Sequence, residues 1–147
     1  MTTPPATRFS PSARNRDTVT LFYADEIAAS TDAQAVELFA GPGGWSEALR
    51  NLGVRSAGIE LDRFACSTRR SAGHVTIESD VTGVDPLSFL GVDGLIASPP
   101  CQALSTAGKK HGRGALDDLS QAIRESRWGY RPHHDPNVWL ALEVGRW

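Results

Sequence analysis

The sequence is poor in several features that would assign it to a class at once. It has only two cysteines, Cys66 and Cys101, too few for a disulfide framework and without the paired Cys-x-x-Cys spacing of a zinc site. Basic residues are not in excess: 15 lysines and arginines against 17 aspartates and glutamates leave a formal net charge of -2 at pH 7. No overall cationic field therefore exists to displace counterions from phosphates, and a nucleic-acid substrate would need most of its grip from elsewhere. Long apolar runs are missing too, and Met1 to Arg16 carry Thr, Pro, Ser and Arg without the apolar region of an export signal. Together these absences point to a reduced, cytoplasmic setting with no membrane and no resident metal. His133-His134 does not alter this, since no partner ligands stand at metal-binding spacing.

A chain of 147 residues has room for one domain with an ordinary core. Residues 1–34 read as an N-terminal arm of weak or no structure, rich in proline and small polar residues, with Thr18 to Tyr23 as a possible short strand. From Ala35 the pattern changes. Ala35-Val-Glu-Leu-Phe-Ala40 is a compact run next to glycines, as in a buried parallel strand. A helix should follow, with Trp45, Ala48, Leu49 and Leu52 on one face and Gly53 as its C-terminal cap. Ser56 to Leu61 reads as a second strand, Arg63 to Ala72 as a helix, and Val75 to Ile77 as a third strand. Asp85-Pro86 caps a short helix ending near Leu90, and Gly94 to Ala97 is a fourth strand. Such alternation implies an α/β fold with a parallel, doubly wound sheet whose ligands sit at the carboxyl ends of its strands. The core would occupy residues 35–107, with a mobile glycine-rich loop over 108–134 and the start of a helix over 135–147.

Two constellations fall at strand ends. In Phe39-Ala-Gly41-Pro-Gly43-Gly44 a strand runs through glycines into a helix, allowing a ligand close to backbone amides, although a plain tight turn would look the same. Glu60 follows about twenty residues on, where a carboxylate can accept from both hydroxyls of a ribose. Asp80, after the third strand, could accept from the exocyclic amine of an adenine or simply cap a turn. The other constellation is Ser98-Pro99-Pro100-Cys101-Gln102. Each proline fixes its own φ and extends the residue before it, so the cysteine stands on a stiff backbone at a strand end, placed as a nucleophile. The alternative for a lone cysteine is an inert core residue, and Cys66, inside a helix beside Phe64 and Ala65, fits that description.

Glu37-Leu-Phe-Ala-Gly-Pro-Gly-Gly-Trp-Ser46 resembles the first motif of the DNA cytosine-5 methyltransferases. Gly58-Ile-Glu-Leu-Asp62 resembles the second and Ser98-Pro-Pro-Cys-Gln-Ala-Leu-Ser105 the catalytic fourth, in matching order and spacing over roughly Ala35 to Gly108. The resemblance implies the N-terminal catalytic half of such an enzyme, with a partial Rossmann-like S-adenosylmethionine-dependent domain. It implies that Phe39, Gly41, Gly43, Glu60, Asp80 and Pro100 line an S-adenosylmethionine pocket and that Cys101 is the nucleophile. The substrate would be a cytosine flipped out of DNA, over which the loop after Cys101 would close, with Lys109, Lys110 and Arg113 near phosphates or merely solvated.

The family's Glu-Asn-Val motif is not found: Leu142-Glu143-Val144 has no asparagine after the glutamate, and Glu143 is assigned no role. The later arginine-bearing motif, the recognition domain and the closing C-terminal helix have no counterpart either. Ala97-Ser98 stands where glycines are usual, and Leu61 where an aromatic often faces the adenine. The resulting expectation is a portion of a cytosine-5 methyltransferase, truncated or split, inactive alone and completed by a second polypeptide. A transfer-RNA cytosine-5 methyltransferase portion and a non-catalytic S-adenosylmethionine-binding remnant are the alternatives.

Overall fold

A computed structural model of the chain describes residues 32–101, 116–126 and 136–147. The rest lie outside the described residues. Among them are the arm up to residue 31 with the strand expected over Thr18 to Tyr23, Gln102 to Ser105, Lys109, Lys110, Arg113 and the His133-His134 pair.

Four short strands form one parallel sheet: β1 (Ala35–Leu38), β2 (Ser56–Glu60), β3 (Val75–Glu78) and β4 (Gly94–Ala97), in the order β3-β2-β1-β4. Helix α1 (Gly44–Asn51) joins β1 to β2, and α2 (Arg63–Ser71) joins β2 to β3. The β3 to β4 crossover holds two 3-10 turns, Val81–Gly83 and Pro86–Phe89, the second capped by Asp85 as its Asp-Pro start suggests. The chain reverses its order at β1: β2 and β3 lie to one side and β4 to the other. At such a switch point the loops leaving β1 and β4 diverge and open a crevice at the carboxyl edge.

Register explains the two faces of the sheet, because alternate residues of a strand point to opposite sides. Leu38, Ile59 and Ile77 are aligned, with Ala97 across from Leu38. They join Val36, Val81, Val84 and Phe89 in an apolar core against which Trp147 packs, its ring 5.3 Å from that of Phe89. Arg146 fastens this end of the chain by donating to the carbonyls of Val81 at 2.7 Å and Val84 at 3.1 Å. The next row, Glu37, Gly58 and Thr76, is polar and faces the other way. Over it lies Arg69 from α2, 0% exposed, paired with the carboxylate of Glu37.

That polar layer overturns one expectation. The stripe Trp45, Ala48, Leu49, Leu52 reads as the buried face of α1, yet Trp45 is 55% and Leu52 77% exposed, while Ser46 is the buried residue of the helix. The cause is what α1 covers: Glu37 needs donors, and Ser46 turns inward to supply one at 2.6 Å. The helix bounds and Gly53, at φ 75 just beyond the end, agree with the sequence.

A second difference lies in the stretch 108–134, expected to be loop throughout. Helix α3 (Leu116–Arg124) falls inside it, with Asp117 and Asp118 in its first turn and Arg124 in its last, charges suited to the helix ends. Leu119 and Ala122 pack with Val138, Trp139 and Leu142 of α4 (Pro136–Glu143), which a further 3-10 turn, Val144–Arg146, follows. The surrounding glycines and charges hide the spacing of Leu116, Leu119 and Ile123, which is that of one helical face.

Candidate active site

Backbone hydrogen bonds run one step past the strands and bind the carboxyl-edge loops together. Ala40 N–H donates to Ile59 O at 3.1 Å, Ser79 N–H to Glu60 O at 2.9 Å, and Ser98 N–H to Leu38 O at 3.2 Å. The segment leaving β1 is unusually bent: Phe39 has φ 55, Gly41 φ 56 and Gly43 φ 110. Phe39 holds a conformation that non-glycine residues rarely adopt, and such strain persists only where the surroundings impose it. Gly43 is hemmed in, since a Cβ there would stand 2.9 Å from Cδ2 of His74. A Cβ at Gly41, in contrast, would meet nothing within 4 Å, so space is open above the loop.

Glu60 reaches back from the end of β2 into this loop. Its Oε2 accepts from Gly41 N–H at 2.7 Å, while Oε1 accepts from Leu61 N–H at 2.8 Å and Asp62 N–H at 2.7 Å. A carboxylate offers about four acceptor positions, and three are taken by the backbone. Glu60 is thus a clamp between two strand-end loops, with roughly one position left for a ligand. Asp80 caps the first 3-10 turn, its Oδ1 accepting from both Thr82 N–H and Thr82 Oγ1 at 2.8 Å. Sequence left that role open beside ligand binding, and Asp80 Oδ2 has no hydrogen-bond donor among the described residues.

Pro99, Pro100 and Cys101 follow β4, the neighbour of β1, so the cysteine and the glycine loop leave adjacent strands on the same edge of the sheet. Cys101 is an exposed free thiol. Cys66 is its opposite: fully buried, donating to Glu60 O at 3.4 Å, with its pKa pushed up to about 11 by burial first and by the negative charges of Glu78 and Glu60 next. A thiol so protonated is no nucleophile at neutral pH, which leaves Cys101 as the candidate.

A model of the family described as C-5 cytosine-specific DNA methylase matches residues 33–120. The chain belongs to this family. Similar proteins include Type II methyltransferase M.Eco47II of Escherichia coli, 40% identical over 132 residues covering 83% of this chain and 30% of that protein. M.PspPI of Psychrobacter is 38% identical over 118 residues, 74% of this chain and 26% of its own length. M.AquIA of Picosynechococcus is 32% identical over 111 residues, 65% of this chain and 45% of its own. The chain therefore spans about a quarter to a third of the length of the first two relatives.

Phe39, Gly41, Gly43, Asp80, Pro100 and Cys101 lie on the carboxyl-edge loops and Glu60 ends β2 at the same edge, in direct contact with Gly41. Beneath this edge lies a layer whose side chains the motifs give no role: Glu37, Ser46, Gly58, Arg69 and His74. The available signal was Glu37 itself, a charge in the middle of a buried strand, which must find a partner. Nothing in sequence marks Arg69 as that partner. Glu143, which motif reading set aside, is buried and pairs with Arg146 at 2.8 Å. Among the described residues no group of His, Cys, Asp and Glu could hold a metal, and no helix is long and apolar enough to cross a membrane.

Proposed function

We propose that this chain forms the cofactor-binding and nucleophile-bearing part of a DNA cytosine-5 methyltransferase that uses S-adenosylmethionine. The observation that supports this best is the convergence of the glycine loop, Glu60 and Pro-Pro-Cys101 on one edge of the sheet, at the ends of β1, β2 and β4, within the stretch the family model matches.

S-adenosylmethionine supplies an electrophilic methyl group when bound. Phe39, Gly41, Gly43, Glu60, Asp80 and Pro100 are the residues to hold it, and three features suit them to the task. Open space lies above Gly41, Glu60 keeps an acceptor position, and Asp80 Oδ2 is available for an amine. Since Glu60 is largely occupied by backbone, it takes one ribose hydroxyl in this geometry, or two if Gly41 N–H releases it. Leu61 is exposed beside Glu60 and offers an apolar surface to a base.

Cys101 acts on the other reactant. As a thiolate its sulfur adds to carbon 6 of cytosine, which ends the aromaticity of the ring and gives carbon 5 the electron pair that takes up the methyl group, with the thioether S-adenosylhomocysteine as leaving group. Loss of the carbon-5 proton then expels the thiolate and restores the ring. The two prolines hold the sulfur on a rigid backbone, so little orientation has to be fixed at the moment of attack. Carbon 6 is not accessible in a stacked base, and the target is taken out of the duplex.

Recognition of the duplex belongs to the remainder of the enzyme, on the same or a second polypeptide, because these residues match only the stated fraction of their relatives. The 147 residues by themselves transfer no methyl group to DNA. Cytoplasm, where DNA, cofactor and reduced thiols coexist in a bacterium, is the compartment this reading requires. The family description names DNA, and nothing comparable supports transfer RNA.

The test is covalent trapping on duplex DNA containing 5-fluorocytosine, with S-adenosylmethionine and the complementing polypeptide present. Fluorine at carbon 5 blocks the elimination step, so the wild type and Cys66→Ser form a stable adduct and Cys101→Ser forms none. An adduct that persists in Cys101→Ser overturns the assignment.

A further inference from the structure

All three guanidinium nitrogens of Arg69 donate hydrogen bonds inside the protein, and the motifs give this residue no task. Its guanidinium is 0% exposed. Nη1 donates to Ala40 O at 3.2 Å, Nη2 to Ser46 Oγ at 2.7 Å and to Val75 O at 3.4 Å, and Nε to Thr76 Oγ1 at 3.3 Å. Glu37 Oε2 stands 3.5 Å from Nη1, and Glu37 Oε1 accepts from Ser46 and Ser56, each at 2.6 Å. Gly58 is part of the same arrangement: a Cβ there would run into the Arg69 guanidinium and stand 2.8 Å from Ala40 Cβ.

Taking an ion pair out of water is expensive, and apolar side chains of similar volume commonly fill such a place at equal or better stability. Stability alone is therefore a weak reason for Arg69. What an apolar residue could not do is hold the Ala40 carbonyl. Ala40 follows Phe39, whose φ of 55 is strained, and precedes Gly41, the residue clamped by Glu60. Three consecutive backbone groups of this loop are each fixed by a different partner: Ala40 N–H by Ile59, Ala40 O by Arg69, and Gly41 N–H by Glu60. Through Ser46 the same guanidinium also fixes the first turn of α1, where the loop ends.

We propose that Arg69 is a positioning residue for the cofactor loop: it anchors the Ala40 carbonyl and the start of α1 so that Phe39 to Gly43 keep the shape that S-adenosylmethionine meets. This rests on the cofactor reading given above. Arg69 itself touches no substrate.

The experiment compares the wild type with Arg69→Met, Arg69→Lys and the double variant Glu37→Gln with Arg69→Met, all in the 147-residue chain. Three quantities are read for each: the melting temperature, the exchange rates of the Ala40 and Gly41 amides, and the affinity for S-adenosylmethionine. Arg69→Met strands a buried carboxylate and melts early. The double variant removes that charge and recovers most of the melting temperature, yet its Ala40 and Gly41 amides still exchange faster and its affinity is still on the order of tenfold weaker, as loss of one charge-assisted hydrogen bond gives. Arg69→Lys keeps the charge opposite Glu37 but has no fork to span Ala40 O and Ser46, and behaves like the double variant. Loop protection and affinity that return together with the melting temperature would reduce Arg69 to a structural residue and overturn the proposal. If the wild type binds no S-adenosylmethionine while the loop amides respond as stated, the cofactor reading fails and the anchoring role stands.

Discussion

Replacing Glu60 by alanine should weaken the protein before any cofactor is added. The carboxylate accepts three backbone N–H groups, of which those of Leu61 and Asp62 are local and exposed and can turn to water at little cost. The third, Gly41 N–H at 2.7 Å, is part-buried and ties two segments 19 residues apart. A charge-assisted hydrogen bond contributes about 1.5–3 kcal/mol, and partial exposure puts this one near the lower end, about 1.5 kcal/mol. For a domain of this size that lowers the melting temperature by about 5 °C. Glu60→Gln, which keeps one acceptor oxygen, should fall between. The assay is thermal unfolding followed by circular dichroism without cofactor, together with exchange of the Gly41 amide. A Glu60→Ala protein that melts with the wild type and keeps Gly41 protected would refute the clamp and leave Glu60 with ligand binding alone.

Three further outcomes follow from the same structure. Iodoacetamide at about pH 8 should modify Cys101 in the folded chain and spare Cys66 until denaturation, because burial holds Cys66 up at about 11; peptide masses showing equal labelling would contradict this. His74 lies below its ordinary 6.5 through burial, with Arg50 and Arg69 adding to the effect. Its folded form therefore binds a proton less readily than the unfolded chain, so its contribution is complete above 6.5 and is lost as pH falls below that value. The melting temperature of the wild type should drop more steeply than that of His74→Gln between neutral and mildly acid pH, and parallel curves would remove His74 from the account. Gly58→Ala should cost at least about 3 kcal/mol, since the methyl both overpacks the site and displaces Arg69 from Glu37; an unfolding free energy within about 1 kcal/mol of wild type would show that Arg69 can move aside.

Sequence carried the strands well because each is a short apolar run beside a glycine or a capping acid, and such punctuation is local. The candidate site residues were legible for the same reason: Gly41, Glu60 and Cys101 stand in contiguous motifs. It failed for the face of α1, where the apolar stripe of Trp45 and Leu52 is exposed and Ser46 is buried. Periodicity reports that a helix has two faces, and which one turns inward depends on the sheet beneath, here the row Glu37, Gly58 and Thr76. The partner of Glu37 was equally hidden, because Arg69 comes from another helix and is identified only by the crossover that carries it back over the sheet. The three-acceptor use of Glu60 depends on distances that no spacing rule contains.

The central claim is that the carboxyl edge of this sheet is an S-adenosylmethionine site. The most direct test is titration of the 15N-labelled chain with S-adenosylmethionine, following backbone amide shifts. The account predicts saturable changes confined to Phe39 to Gly44, Leu61, Asp62 and the residues around Asp80 and Cys101. Shifts that gather instead at the amino-terminal edge, in the cleft of about 320 Å3 lined by Ala33, Gly53, Arg55 and Gly73, or no saturable shift at all, would contradict it.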